Sequence, residues 1–452
     1  MPPGFLERPR LQPGAIPAIV VLATGAALGT ASILLDWPIA ARAGVVATAC
    51  LVLWLGQLVP VWLPTLLLWG GATALLAGQG ASFTPLKVLG WFGDPVLLLF
   101  LGGFALAAAA QRQEADRALA ALTVRLSGGR AGRLVALAAA ATALLSMWMS
   151  NIAASALLFG TLRPVWASRP PSDRLRRSIL LAIALAADVG GIATPIGTGP
   201  NGIAIAAVSQ KVRIDFLDWM LFAFPLALGL VAAAVALVLL ILRPAGQLEL
   251  PPMGKTPAGK RRRHLAIIFA VTIALWLSEP LHGIDAATVA LGTIAALFLS
   301  GVLLPRDVAR LDWATLLLIA GGIGLGGLLE ATGMMSAVSD RLLLPDLPAY
   351  LRLFIMALAA ATMSSLMSNT GTAAVLIPLT AAVDPAPSTT IIVEVACSLG
   401  VPFAISTPPN AMAIAAGVKA RDLLLPGLII LVGGCALVAL TGPLVLNTLG
   451  IP

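Results

Sequence analysis

Residues Ser364–Leu379 read SSLMSNTGTAAVLIPL, a knot of small polar side chains (Ser364, Ser365, Ser368, Asn369, Thr370, Thr372) inside apolar sequence. An earlier stretch, Leu144–Leu158, reads LLSMWMSNIAASALL and repeats the pattern with Ser146, Ser150 and Asn151, but has Ile152 where the later copy has Thr370. Polar groups in the middle of a long apolar run are tolerated only where protein or a water-filled cavity surrounds them. The two stretches are therefore read as the two halves of one intramembrane binding site.

Composition sets the medium. The mean hydropathy is +0.99, 59% of residues are apolar and only 11% are charged, whereas soluble domains carry about 25% charged residues. The runs are continuous Leu/Ala/Val rather than short and alternating, which excludes a barrel. At roughly 20 residues per span, about eleven transmembrane helices fit this length. The net charge of +8 is explained by Lys and Arg gathered in particular loops, so no nucleic-acid partner is inferred. Cys50, Cys397 and Cys435 lie within apolar runs without metal-ligand spacing and read as small core residues.

Outward from the two clusters, the chain divides into an all-α polytopic membrane protein of two repeats. The first, residues 1–243, holds spans 1–6, with a hairpin at about 134–167 and a broken span at about 178–208. A Pro/Gly-rich basic linker follows at 244–264. The second repeat, 265–452, holds spans 7–11, a hairpin at about 351–383 and a broken span at about 388–418. Each apolar stretch around a polar cluster is too short for two crossings and a turn. Both are therefore read as re-entrant hairpins tipped by Ser150–Asn151 and Ser368–Asn369. The spans beyond them contain GGIATPIGTGPN and SLGVPFAISTPPNAMA, whose Gly and Pro residues cannot sit in an unbroken helix. LFLGGFALAA at 99–108 against LLIAGGIGLGG at 317–327 supports the repeat independently.

The positive-inside rule tests the layout. With a cytoplasmic N-terminus, only Arg42, Lys87, Lys211, Arg213, Arg341 and Arg352 fall outside. The first hairpin then enters from the cytoplasm and the second from outside. The repeats are inverted, as in many secondary transporters.

Half-helices that start at mid-membrane aim unpaired N–H groups and a positive dipole end at the cavity, which suits an anion; their C-terminal carbonyls suit a small cation. Asp188 lies deep in the fifth span and is a candidate for coupling, against the alternative of a structural carboxylate off the pathway. Glu394 is placed near the outer, interfacial end of its span. No HExxH, no G-x-S-x-G elbow and no phosphate-binding loop occurs, so neither an enzyme nor an ATP-driven pump is expected.

The paired Ser-Asn motifs, the TGPN and TPPN loops, and IDFLDWMLFAFP at 214–225 resemble the divalent anion/sodium symporter family, from about Phe92 to Gly417. The resemblance implies that sodium would bind at Ser146, Ser150, Asn151 and the Gly197 carbonyl, and again at Ser364, the Met367 carbonyl, Asn369 and Ser406. It places the substrate between Asn151, Thr198, Ser368, Asn369, Thr370, Thr407 and Pro408, with Ile152 lacking the hydroxyl that the family pattern has there and Gly199 standing for its usual proline. It also implies a homodimer. The expectation is sodium-coupled symport of a divalent anion, foremost a C4 dicarboxylate (succinate, malate or fumarate), by alternating access in a bacterial inner membrane. Exchange, proton coupling, and sulfate or another small anion remain open alternatives.

Overall fold

The computed structural model describes residues 15–76, 78–79, 83–209, 211–248, 259–334 and 347–452. Arg8, Arg10, Arg341 and the middle of the expected linker, 249–258, lie outside the described residues. No strand occurs among those described. The helices that matter here are α1 (Ala15–Leu34), α2 (Ile39–Leu55), α3 (Leu63–Leu76), α4 (Pro95–Arg112), α5 (Ala131–Ser146), α6 (Asn151–Thr161), α7 (Arg174–Gly190), α8 (Gly199–Val208) and α9 (Phe216–Leu242). They are followed by α10 (Lys260–Leu277), α11 (Ala286–Leu299), α12 (Trp313–Ala331), α13 (Ala349–Leu366), α14 (Asn369–Val383), α15 (Pro387–Cys397), α16 (Pro408–Ala415) and α17 (Ala420–Thr448).

Among the described residues, α1, α4, α9, α12, α13 and α17 are long and apolar enough to cross a membrane on their own. The expected count of about eleven spans is not reached by length alone, for a physical reason. Helices α3 and α11 have 14 residues each, about 21 Å at 1.5 Å per residue, and two further spans are interrupted. Asp residues start several helices by taking up N–H groups of the first turn, as Asp94 does for Val96 at 2.9 Å and Asp173 for Arg176 at 2.9 Å.

Packing interleaves the two halves of the chain. Helix α4 lies on α11, and α3 on α12; α7 meets α16, and α8 meets α15. The Thr65 hydroxyl donates to the Leu317 carbonyl at 2.8 Å, tying α3 to α12. Gly102 allows α4 to touch α11, because a Cβ there would stand 2.5 Å from Ala290 Cβ and 3.0 Å from its Cα. Arg112, at the end of α4, forms an ion pair with the buried Asp307 ahead of α12. Glu394 departs from its expected interfacial place: it is fully buried within α15, because that helix is itself covered by α13, α14, α8 and α17.

The α4–α11 contact yields a stability test. Gly102→Val overpacks it and is expected to cost about 1–3 kcal/mol, read as a lower melting temperature in detergent. Gly292→Ala on the same pair meets nothing within 4 Å and should leave the melting temperature unchanged or slightly raised.

Candidate functional site

At each hairpin the chain leaves one helix and starts the next within a few residues, and a serine caps the new helix. Ser150 Oγ accepts from Ala153 N–H at 3.3 Å, and Ser368 Oγ from Gly371 N–H at 3.0 Å. Behind each tip sits a matching cluster of oxygen atoms. Ser146 Oγ is 2.8 Å from Asn151 Oδ1 and 2.6 Å from the Ala187 carbonyl. Ser364 Oγ is 2.8 Å from Asn369 Oδ1 and 2.5 Å from the Cys397 carbonyl. Both serines are fully buried. A hydroxyl has one proton and serves one acceptor at a time, so each cluster holds more lone pairs than protons.

The interrupted spans are braced by buried asparagines. Between α7 and α8, Asn201 Nδ2 donates to the carbonyls of Gly191 at 3.1 Å and Thr194 at 2.7 Å. Between α15 and α16, Asn410 Nδ2 donates to those of Val401 at 3.0 Å and Phe403 at 3.3 Å. Ser406 Oγ donates to the Ser365 carbonyl at 2.8 Å, which fastens the second break to its hairpin. Gly191 leaves room in the first cluster: a Cβ there would stand 2.8 Å from Asn151 Oδ1 and 3.0 Å from the Gly197 carbonyl.

The hairpin tips and the breaks meet at a cavity of about 170 Å³. All eight residues expected at the substrate, Asn151, Ile152, Thr198, Ser368, Asn369, Thr370, Thr407 and Pro408, line it, as do Ser150, Gly197, Ser406 and Asp188. Ser146, Ser364 and Met367 do not; the two serines lie in the clusters behind the tips. Sequence reasoning missed Phe100 and Phe104 from α4, and Asp312 and Thr315 at the start of α12. The only signal for the first two was the LFLGGFALAA repeat. A larger cavity of about 690 Å³ lies near the other end of α12, against Trp91, Gly327 and Glu330, but it contains none of the paired motif residues.

The four helix N-termini that the hairpins and the breaks bring to the small cavity are not equivalent. On α6 and α14 the first two N–H groups, of Asn151 and Ile152 and of Asn369 and Thr370, have no acceptor among the described residues, and on α8 the same holds for Gly199. Helix α16 offers none: Pro408 and Pro409 carry no N–H, Asn410 N–H is taken by Thr407 Oγ1 at 3.3 Å, and Ala411 N–H by the Thr407 carbonyl. The Thr407 hydroxyl in turn donates to Asp188 Oδ2 at 2.8 Å. Asp188 is fully buried and its Oδ1 has no partner among the described residues. The expectation that both broken spans present donors thus holds for one of them.

With this geometry in view, the comparisons fix the class of protein. Residues 51–399 match the model of the citrate transporter family, and the chain belongs to it: it is a multi-pass membrane transporter and not an enzyme. The resemblance to divalent anion/sodium symporters is borne out. A transporter of Haemophilus influenzae, described as uncharacterized, is 27% identical over 84% of this chain and 86% of its own. The sodium-dependent dicarboxylate transporter SdcS of Staphylococcus saprophyticus is 25% identical over 80% and 78%. An inorganic phosphate transporter of Saccharomyces cerevisiae is 25% identical over 87% of this chain but 45% of its own length. The crystal structure of the Alcanivorax borkumensis YdaH transporter, described as having an unusual topology, superposes with a TM-score of 0.60 at 16% identity, over 87% of this chain and 98% of that one. It supports the fold.

One contact across the cavity can be tested directly. A Cβ on Gly199 would lie 2.5 Å from Thr370 Cγ2 and 2.6 Å from its Oγ1. Gly199→Ala should lower the transport rate by about tenfold or more, as a misplacement of about 1 Å at a site does. Adding Thr370→Ser, which removes the clashing methyl, should restore part of it.

Proposed function

We propose that the chain carries a C4 dicarboxylate, with succinate, malate and fumarate as the candidates, in symport with sodium. The carrying observation is the matched pair of oxygen clusters, Ser146/Asn151/Ala187 and Ser364/Asn369/Cys397, each with fewer protons than lone pairs and with neutral ligands only. A hard monovalent cation suits such a set of neutral oxygen ligands. Sodium would be held by Ser146, Ser150, Asn151 and the Gly197 carbonyl in one site, and by Ser364, the Met367 carbonyl, Asn369 and Ser406 in the other. The sodium-dependent dicarboxylate transporter among the relatives supports the same reading.

The anion lies between the N-termini of α6 and α14, one carboxylate on each. Thr370 adds a hydroxyl at one end, and Ile152 gives that end's counterpart an apolar wall. Residues 1–243 and 265–452 act as inverted repeats joined by a cytoplasmic linker. The hairpins and broken spans shift together against the remaining helices, in a homodimer in a bacterial inner membrane with its N-terminus in the cytoplasm. A second reading, transport of inorganic phosphate, draws on the yeast relative and on Ile152, which narrows the demand for a second carboxylate.

Uptake into proteoliposomes decides between these. An inward sodium gradient should drive labelled succinate uptake, and a potassium gradient should not; sodium-driven phosphate uptake without succinate uptake would favour the second reading. Gly191→Ala, which puts a methyl between two sodium ligands, should raise the sodium concentration for half-maximal uptake by about tenfold or more while the protein stays folded. Ile152→Thr restores a hydrogen bond to a charged group, worth about 1.5–3 kcal/mol, and should tighten succinate binding by at least about tenfold.

A further inference from the structure

Of the four helix starts at the hairpin tips and breaks, that of α16 alone has no free N–H group among the described residues, and a carboxylate of the protein stands beside it. Asp188 Oδ2 is held by the Thr407 hydroxyl at 2.8 Å. Asp188 is among the residues that line the same cavity, and its Oδ1 is fully buried with no hydrogen-bond partner among the described residues. The side chains of Ile152 and Pro408, which also line the cavity, carry no donor. A buried carboxyl oxygen left without a hydrogen-bond donor is costly, and a site that holds such an acceptor discriminates in favour of ligands that bring the donor.

We infer that Asp188 reads a hydrogen-bond donor on the substrate: the transported dicarboxylate carries a hydroxyl or ammonium group next to the carboxylate bound at α6, and donates it to Asp188 Oδ1. This rests on the dicarboxylate reading above and narrows it. The other end, where Gly199 keeps its N–H and Thr370 its hydroxyl, takes a plain carboxylate. Thr407 is then a positioning residue that turns the Asp188 carboxylate, and its hydroxyl is not available to the substrate. Asp312, the other carboxylate at the cavity, has both oxygens engaged by Thr315, through its N–H at 3.0 Å and its hydroxyl at 2.7 Å. It makes no comparable demand.

The test compares sodium-driven uptake of labelled succinate, malate and aspartate by the full chain in proteoliposomes. Malate, aspartate or both should half-saturate at a concentration at least about tenfold lower than succinate; malate alone identifies a hydroxyl as the donor, aspartate alone an ammonium. Asp188→Asn keeps an acceptor for Thr407 and turns an amide N–H₂ donor into the cavity, so the order should reverse in favour of succinate, whose uptake also reports a folded variant. Wild-type constants within about threefold for all three substrates would overturn the inference and leave the dicarboxylate reading standing, whatever the variant does. Retention of the wild-type order in Asp188→Asn would overturn it as well. Absence of uptake for all three would remove the dicarboxylate reading and this inference with it.

Discussion

A helix that stops inside hydrocarbon leaves carbonyl groups with no water to turn to, and here the side-chain amides of Asn201 and Asn410 take them up. Each asparagine belongs to the half-helix that follows the gap and reaches back across it. The break is thereby held open at a fixed width. Everything that makes a site depends on this. The gap frees the carbonyls of Ala187 and Cys397 to face the hairpin serines, and it aims the starts of α8 and α16 at the hairpin tips.

The two ends of the cavity then diverge through substitutions that fit each other. On one side Gly199 makes room for Thr370, leaving a hydroxyl and a backbone donor. On the other, Pro408 faces the cavity with Ile152, and neither side chain donates. The two matched sets of hairpin and break thus supply two similar frames, and the side chains set in them differ in polarity.

Much of this was legible in the sequence. Period and composition reveal the helices, the glycines and prolines reveal where two of them break, and the paired Ser-Asn motifs locate the tips. The exhausted donors of α16 were also on view, since TPPN contains two prolines, but the rule that helix starts bind anions overrode the arithmetic of N–H groups. Other features could not be read. Asp188 and Thr407, or Gly199 and Thr370, are brought together only by the interleaving of the two halves. Glu394 misled for a related reason: distance from a helix end says nothing about how many neighbours cover that end. Phe100 and Phe104 lie on a helix whose apolar surface is continuous, so nothing marks which residues face the cavity.

The interleaving of α3 with α12, α4 with α11, α7 with α16 and α8 with α15 also bears on how the protein is made. Synthesis runs from the N-terminus, so the first member of every pair is in place before its partner exists. Through that interval the glycine face of α4 has no α11 to meet, and the Asp188 carboxylate lacks the hydroxyl that orients it. Neither half is a finished unit that waits for docking. The cavity closes when the second broken span, α15–α16, arrives, which makes that span a keystone of assembly as well as one wall of the cavity.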